Sequence, residues 1–137
     1  MKKQEYIKIG KLNKGLFKKI GIKLITDEVV FTYERINHVE FKRKNLLNEI
    51  QNTLKDSIYN PNYIYKDWNN RLNTIVLIKK INNKLNVNIV LKIAVNNDEK
   101  HTKNSIITML KIGEKTLNKI KRNKHDNLLY EKMDKCE

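Results

Sequence analysis

Hydrophobic residues change their spacing part-way along the chain, from the three-to-four period of a helix to the alternation of a strand. The helical stripe consists of Leu47, Ile50, Leu54 and Ile58. Asn45 is a suitable N-cap for this helix, and Pro61 ends it because the proline ring disfavours helical geometry at the residue before it. A stripe of this kind predicts a helix that packs one side against a core.

After Pro61 the alternation predicts an antiparallel meander of about four strands. The predicted strands lie around Tyr63 and Tyr65 and at 74–81, 85–95 and 104–112, with a turn at 82–84. Along the third of these strands every second residue is apolar. One side of that strand therefore belongs to the core, while Lys92 lies on the other side.

The segment before the stripe is predicted to combine helices with short strands. Weak alternation predicts strands at 5–9 and 22–25 and a turn of helix at 15–20, and a clearer pattern predicts a strand at Glu28–Thr32. A helix is expected at 33–42, with a break near Lys44.

The C-terminal segment is predicted to be helical and basic. Gly113 precedes a basic helix at 114–124, and a small amphipathic tail follows it. Taken together, the pattern predicts an α+β fold in which N-terminal helices pack on a roughly four-stranded antiparallel β-sheet, with a basic C-terminal helix.

Charge and cysteine content narrow the function. The 137 residues are most economically one domain, and 29 Lys and Arg against 15 Asp and Glu give a net charge of +14. A field of that sign attracts polyanions, either nucleic acid or an anionic membrane surface. Cys136 is the only cysteine, which excludes an intramolecular disulfide and a thiolate metal cluster. No apolar run is long enough for a signal peptide or a membrane span, so a cytoplasmic location without membrane insertion is expected.

The histidines point to acid–base chemistry without a cofactor. His38, His101 and His125 are isolated, and no metal-binding motif or Gly-rich phosphate loop is present. Within the helix predicted at 33–42, Arg35 and Lys42 lie three residues before and four residues after His38. An imidazole between two cations holds its proton less tightly, because a second positive charge nearby is unfavourable.

This set of residues suits RNA cleavage. The ribose 2′-OH is a nucleophile already adjacent to the phosphate, so an enzyme needs only to move protons and neutralise charge. A histidine can accept or donate the proton, and Lys and Arg can stabilise the charged transition state.

Four short motifs also occur along the chain in a characteristic order. They are Glu28–His38, Asn60–Ile64, Leu91-Lys92 and Asn104–Thr108. In order and spacing they resemble the phage-associated BECR domains, named for their likeness to barnase, EndoU, colicin and RelE nucleases. The resemblance covers about 25–112 as a nuclease-like core and leaves 113–137 as a basic helical tail. It implies a metal-independent endoribonuclease, as a toxin or a phage-derived effector, on the fold described above.

The resemblance also implies the catalytic residues. It matches His38 and Arg35 on the helix, Lys92 on a strand, and Ser105 and Thr108 on the last strand. Because Ser105 and Thr108 are three residues apart, a regular strand would direct them to opposite faces of the sheet. Only a β-bulge would let both hydroxyls face one site.

The expected partner is RNA, whether tRNA, mRNA or rRNA, with an acidic inhibitor protein as a further candidate. The candidate nucleic-acid contacts are Lys42, Arg43, Tyr65, Arg71, His101, Lys103, Lys119, Lys121 and Arg122. Cations would bind phosphates, and an aromatic ring could stack on a base. The alternative is a non-catalytic RNA- or DNA-binding module on a degenerate nuclease fold. A third possibility is a membrane-surface or protein-interaction domain that uses the basic tail.

Overall fold

A computed structural model describes the chain over residues 6–38, 44–94 and 103–133, with side chains given for all of these except 37–38 and 44–51. The elements, in chain order, are β1 Tyr6–Lys11, α1 Lys14–Lys19, β2 Glu28–Thr32, α2 Tyr33–His38, α3 Lys44–Tyr59, β3 Tyr63–Lys66, β4 Thr74–Lys80, β5 Asn86–Lys92, β6 Asn104–Ile112, α4 Glu114–Asn123 and β7 Leu128–Glu131. A turn of 3-10 helix, His125–Asn127, connects α4 to β7.

Within the described ranges, the strands form one mixed sheet of seven, in the order β1-β2-β6-β5-β4-β3-β7. Neighbouring strands are antiparallel except β2 and β6, which are parallel. The predicted four-stranded antiparallel sheet under N-terminal helices is therefore wrong, although the α+β class holds. Alternation identifies single strands, but it carries no information on which distant strand each one pairs with.

Agreement with the predicted elements is closest in the centre of the sheet. β2 and β6 have the predicted bounds, and α3 ends at Tyr59, just before the proline that was expected to end it. A short apolar run bounded by polar residues or glycine and a proline after a helix are both local signals, so the sequence carries them directly.

Several local predictions are wrong. Residues 22–25 form no strand, and Lys44 begins α3, so Asn45 lies inside that helix and is not its N-cap. Leu128–Glu131, predicted as helical tail, is the strand β7 because it pairs with the outer edge of β3. The predicted helix at 33–42 is described as far as His38, and its remaining residues lie outside the described ranges.

Different helices cover part of each face of the sheet. On the first face, Phe17 of α1 and Leu54 and Ile58 of α3 pack against strand residues such as Ile89. On the second face, Leu117 and Ile120 of α4 pack over a smaller cluster, which consists of Tyr63, Tyr65, Val76, Ile78, Val90 and Ile112. The alternating residues of the central strand β5 therefore contribute to two cores.

One buried amide connects β2, β6 and the end of β5. Asn104 is fully buried, and its Nδ2 donates to the carbonyl oxygens of Thr26 at 2.8 Å and Glu28 at 2.9 Å. Its Oδ1 accepts from the Ala94 N–H at 2.8 Å. The parallel ladder between β2 and β6 contains only the pairs Val29–Asn104 and Val30–Ser105. The side chain therefore supplies much of the hydrogen bonding at this junction.

Replacing Asn104 with alanine should destabilise the fold strongly. Three hydrogen bonds are lost and buried backbone groups are left without partners, so we expect a loss of about 2–4 kcal/mol in the free energy of unfolding. Urea denaturation measures it. The matched control is Asn118→Ala on the exposed side of α4, expected to change stability by less than about 0.5 kcal/mol. Equal urea midpoints for the two variants would contradict the structural role given to Asn104.

Candidate functional site

A β-bulge in β6 brings Ser105 and Thr108 to the same face of the sheet. Lys92 pairs with Ser105 and Val90 pairs with Thr108, and a register shift beside Val90 leaves Ile107 without a partner in the ladder. Residues directly opposite one another on antiparallel strands share a face, as do residues two apart on one strand. Lys92, Ser105 and Thr108 therefore all lie on the second face. The structure therefore contains the β-bulge that the two hydroxyls need in order to face one site.

The neighbouring strands extend this group into a row across the second face. Ser105 pairs with Val30 of β2, which pairs in turn with Lys8 of β1, and Thr74 of β4 pairs with Lys92. Lys8 and Lys92 are exposed, and Ser105 is half-buried between them. In this row Val30 and Ser105 lie between the two lysines, and the Lys92 ammonium together with the adjacent Ser105 hydroxyl can bind a phosphate by charge and by a hydrogen bond.

Helix α2 lies beside the strand that carries the two hydroxyls. Its first turn is capped by Thr32, whose Oγ1 accepts from the Arg35 N–H at 3.1 Å. Ile36 packs into the core of the first face, and the helix contacts both β2 and β6. Arg35 is exposed, while the side chain of His38 lies outside the described part of the structure. Arg35 and the backbone of His38 are therefore held next to β6, on a helix that packs against the first face through Ile36, whereas Lys92, Ser105 and Thr108 lie on the second face.

Three further predicted residues, Lys42, Arg43 and His101, lie outside the described ranges.

The prediction that Tyr65 stacks on a base is wrong. Its ring is 1% exposed and lies between Tyr63 and Trp68, with ring centroids 6.4 and 5.8 Å away. The segment reads as an exposed aromatic strand in the sequence, but β7 pairs along the edge of β3 and α4 covers its face. Burial also raises the pKa of the Tyr65 phenol.

Lys103 is paired within the protein. Its Nζ lies 3.1 Å from Oε2 of Glu28, and its side chain is only 18% exposed. The hydrogen bond and the charge of Lys103 hold the pKa of the Glu28 carboxyl below its ordinary value. The lysine therefore attaches β6 to β2, and its predicted contact with a phosphate stays a prediction.

The loop between β3 and β4 is organised by a buried carboxylate that the sequence analysis missed. Asp67 is 1% exposed, and it accepts hydrogen bonds from the backbone N–H groups of Asn69 and Arg71 and from the Arg71 guanidinium, whose Nε lies 2.8 Å from Oδ2. Burial by itself would raise the pKa of Asp67, but these hydrogen bonds outweigh it and the pKa lies below its ordinary value. The signal was present, since an Asp two residues before Asn69 is typical of an Asx turn.

The predicted contacts on α4 are all exposed, and one of them also lies over an aromatic ring. They are Lys119, Lys121 and Arg122. Nζ of Lys121 lies 5.2 Å from the centroid of the Tyr63 ring, and Nζ of Lys124, just after the helix, lies 5.8 Å from that of Trp68. These two lysines help to hold α4 against β3 and its loop through cation–π contacts. The outward cations of α4 are therefore separate from the row on the sheet.

No family model, curated protein or solved structure matches the chain. The resemblance to BECR nucleases therefore stays a prediction. Within the described ranges, no group of three or more His, Cys, Asp or Glu side chains could hold a metal ion. Over the same ranges, no helix is long and apolar enough to cross a membrane.

The lowered pKa of Asp67 predicts a component of acid unfolding. Above its unfolded pKa of about 3.9 the carboxylate stabilises the folded state fully, and this contribution is lost as the pH falls through the lower folded pKa, because the unfolded state binds the proton first. Asp67→Asn should reduce stability near neutral pH and flatten its fall below about pH 4. Urea titrations across this range test it. The exposed Asp126→Asn is the control, and an unchanged profile in Asp67→Asn would contradict the assignment.

Proposed function

We propose that this protein is a small metal-independent endoribonuclease, in which Lys92, Ser105 and Thr108 on the second face act together with His38 and Arg35 of the neighbouring helix α2. The observation that carries the proposal is the bulge at Ile107, because it puts Ser105 and Thr108 on the face that carries Lys92. An unbulged strand could not present these two hydroxyls to a single phosphate.

The chemistry follows from the charges of an RNA phosphate. Lys92 neutralises negative charge as the 2′-oxygen attacks phosphorus, and the hydroxyls of Ser105 and Thr108 donate hydrogen bonds to the non-bridging oxygens. His38 accepts the proton of the 2′-OH, and a proton is returned to the departing 5′-oxygen. The products are a 2′,3′-cyclic phosphate and a free 5′-hydroxyl. Arg35, exposed on the same helix as His38, supplies a further cation for the transition state.

The distribution of charge supports a polyanionic substrate. The net charge is +14, and the row on the second face includes two exposed lysines, Lys8 and Lys92. Attraction of this kind acts along several phosphates at once, so it favours a nucleic-acid chain over an isolated small anion. We propose RNA as the nucleic acid because the nucleophile in this mechanism is the 2′-OH of the substrate, a group that DNA lacks.

RNA binding without cleavage is the second candidate, and helix α4 favours it. Lys119 and Arg122 are exposed on a helix that carries none of the proposed catalytic residues. Their contribution to phosphate binding would persist if the residues on the sheet were inactive. Binding that weakens steeply with salt, without any cleavage product, would select this candidate.

Cleavage should need His38 and no metal. Total RNA incubated with the protein in excess EDTA should be cut to fragments with cyclic phosphate ends, as gel electrophoresis and end-group analysis would show. His38→Ala should cut about 10²–10⁴-fold more slowly, since a general base is lost. His125→Ala, at a side chain that is 81% exposed beyond α4, is the control and should keep full activity. Intact RNA with the wild type, or equal cleavage by His38→Ala, would refute the proposal.

The second-face residues should affect turnover more than binding. Lys92→Gln should lower kcat by about 100-fold or more, because a cation facing the transition state is lost, and Thr108→Val should lower it by a smaller factor. The matched controls are Lys111→Gln at the exposed end of β6 and Thr116→Val on exposed α4. Single-turnover kinetics separates kcat from KM. If Thr108→Val and Thr116→Val had the same kcat, the site would lie elsewhere on the molecule.

A further inference from the structure

An open groove of about 560 Å³ lies at the end of the sheet next to Lys92. Its aliphatic wall consists of Ile22, Ile75 and Ile93, and its rim carries Lys23, Lys66 and Arg71. Ile93 follows Lys92 in the chain, and Thr74, which also lines the groove, pairs with Lys92 across the sheet. The aliphatic wall belongs to the first face, whereas Lys92 lies on the second, so the groove and the proposed site are on either side of the same end of strands β4 and β5.

The guanidinium of Arg71 is fixed in orientation at the rim of this groove. Its Nε donates to Oδ2 of Asp67 at 2.8 Å and its Nη2 donates to Oδ1 at 3.4 Å, so the buried carboxylate holds the plane at two points. The Arg71 side chain is nevertheless 41% exposed. A planar cation that is already ordered offers a flat surface for a nucleobase, at little further cost in side-chain entropy.

The charges around the groove favour an anionic occupant. The lining contains three cations and one carboxylate, and that carboxylate, on Asp67, is matched by Arg71. Lys23 and Lys66 are exposed and provide the remaining positive charge. An aliphatic wall beside two ammonium groups suits a ligand with a flat apolar part and a negative part, which describes a nucleotide.

The same groove could suit aliphatic and acidic side chains of a protein, but the geometry of Arg71 favours RNA. A carboxylate binds arginine most strongly through two parallel N–H donors. On Arg71 the Nε–Nη2 edge already donates to Asp67, and the charge of Asp67 offsets the attraction of the remaining Nη1–Nη2 edge for a second carboxylate. A base needs only the face of the guanidinium, which pairing with Asp67 leaves available.

We propose that this groove binds a nucleotide next to the scissile phosphate of single-stranded RNA. Its base lies against Arg71 and the aliphatic wall, and a neighbouring phosphate lies near Lys23 and Lys66. The inference rests on the proposed function, because it takes Lys92 as the position of the cleaved phosphate. On this proposal, the groove is the part of the protein that distinguishes a nucleotide with a base from an abasic one.

The test uses an RNA that cannot be cleaved. A fluorescent hexanucleotide with 2′-O-methyl groups blocks the nucleophile, and a series of oligonucleotides, each with one abasic position, measures what each base contributes to binding by anisotropy. One position should cost about fivefold or more in affinity when its base is removed, as expected for a stacked base. In Arg71→Lys that cost should disappear, while Arg122→Lys, an exposed arginine on α4, should retain it.

A second variant separates the groove from the stability of the loop, because Arg71→Lys also weakens the contact with Asp67. Lys66→Gln removes an exposed rim charge, and it should weaken binding and reduce the salt dependence by about one phosphate contact. Lys111→Gln is its control. The proposal is overturned if no abasic position weakens binding to the wild type, or if Lys66→Gln and Lys111→Gln show the same salt dependence.

The outcomes also separate this inference from the proposed function. A base-dependent affinity that needs Arg71, in a protein that cuts no RNA, would support the groove and reject the nuclease. Cleavage of RNA with no base-dependent affinity would reject the groove alone. A Glu- and Leu-rich peptide that binds more tightly than the oligonucleotide, and loses this binding in Lys66→Gln, would overturn the inference in favour of an acidic protein partner.

Discussion

The fold depends on how the antiparallel pair β1 and β2 is attached to the rest of the sheet. Much of that attachment comes from the buried amide of Asn104. The parallel ladder at this junction is only two pairs long, so it offers few backbone hydrogen bonds of its own. Asn104 compensates by bonding to backbone groups on three sides. The next residue in the chain is Ser105, which belongs to the proposed site. The hydrogen bonds of Asn104 therefore hold β6 in the core and also hold the site residue next to it.

The sequence predicted what is local and failed where a distant partner decides the structure. The bounds of β6 follow from the polar residues before it and Gly113 after it, and the end of α3 follows from one proline. No local pattern in the sequence indicates that β2 pairs in parallel with β6, or that Leu128–Glu131 pairs with β3. Tyr65 illustrates the consequence, since its burial results from a strand and a helix that both lie far along the chain.

The candidate site was predictable as a set of residues but not as an arrangement. Spacing alone shows that Ser105 and Thr108 need a bulge to converge, yet nothing in the residues between them marks where it would form. Arg71 was predicted as a cation that contacts nucleic acid. Its fixed orientation depends on Asp67, a residue that the sequence analysis did not single out. Charge counts identify such residues, and only the hydrogen bonds distinguish a free cation from one that is held in place or already paired.

The bulge at Ile107 makes the proposed site depend on chain length more than on chemistry at that position. A residue outside the ladder can change its side chain while the two strands keep their pairing, as long as the new side chain fits beside Val90. Gain of one residue between Ser105 and Thr108 would instead turn one hydroxyl to the opposite face if the bulge stayed one residue long, whereas loss of Ile107 would leave the two positions two apart in a regular strand, still on one face. Variation in this chain would therefore be tolerated at Ile107 as substitution or as loss of that residue, whereas a codon inserted there would separate the two hydroxyls.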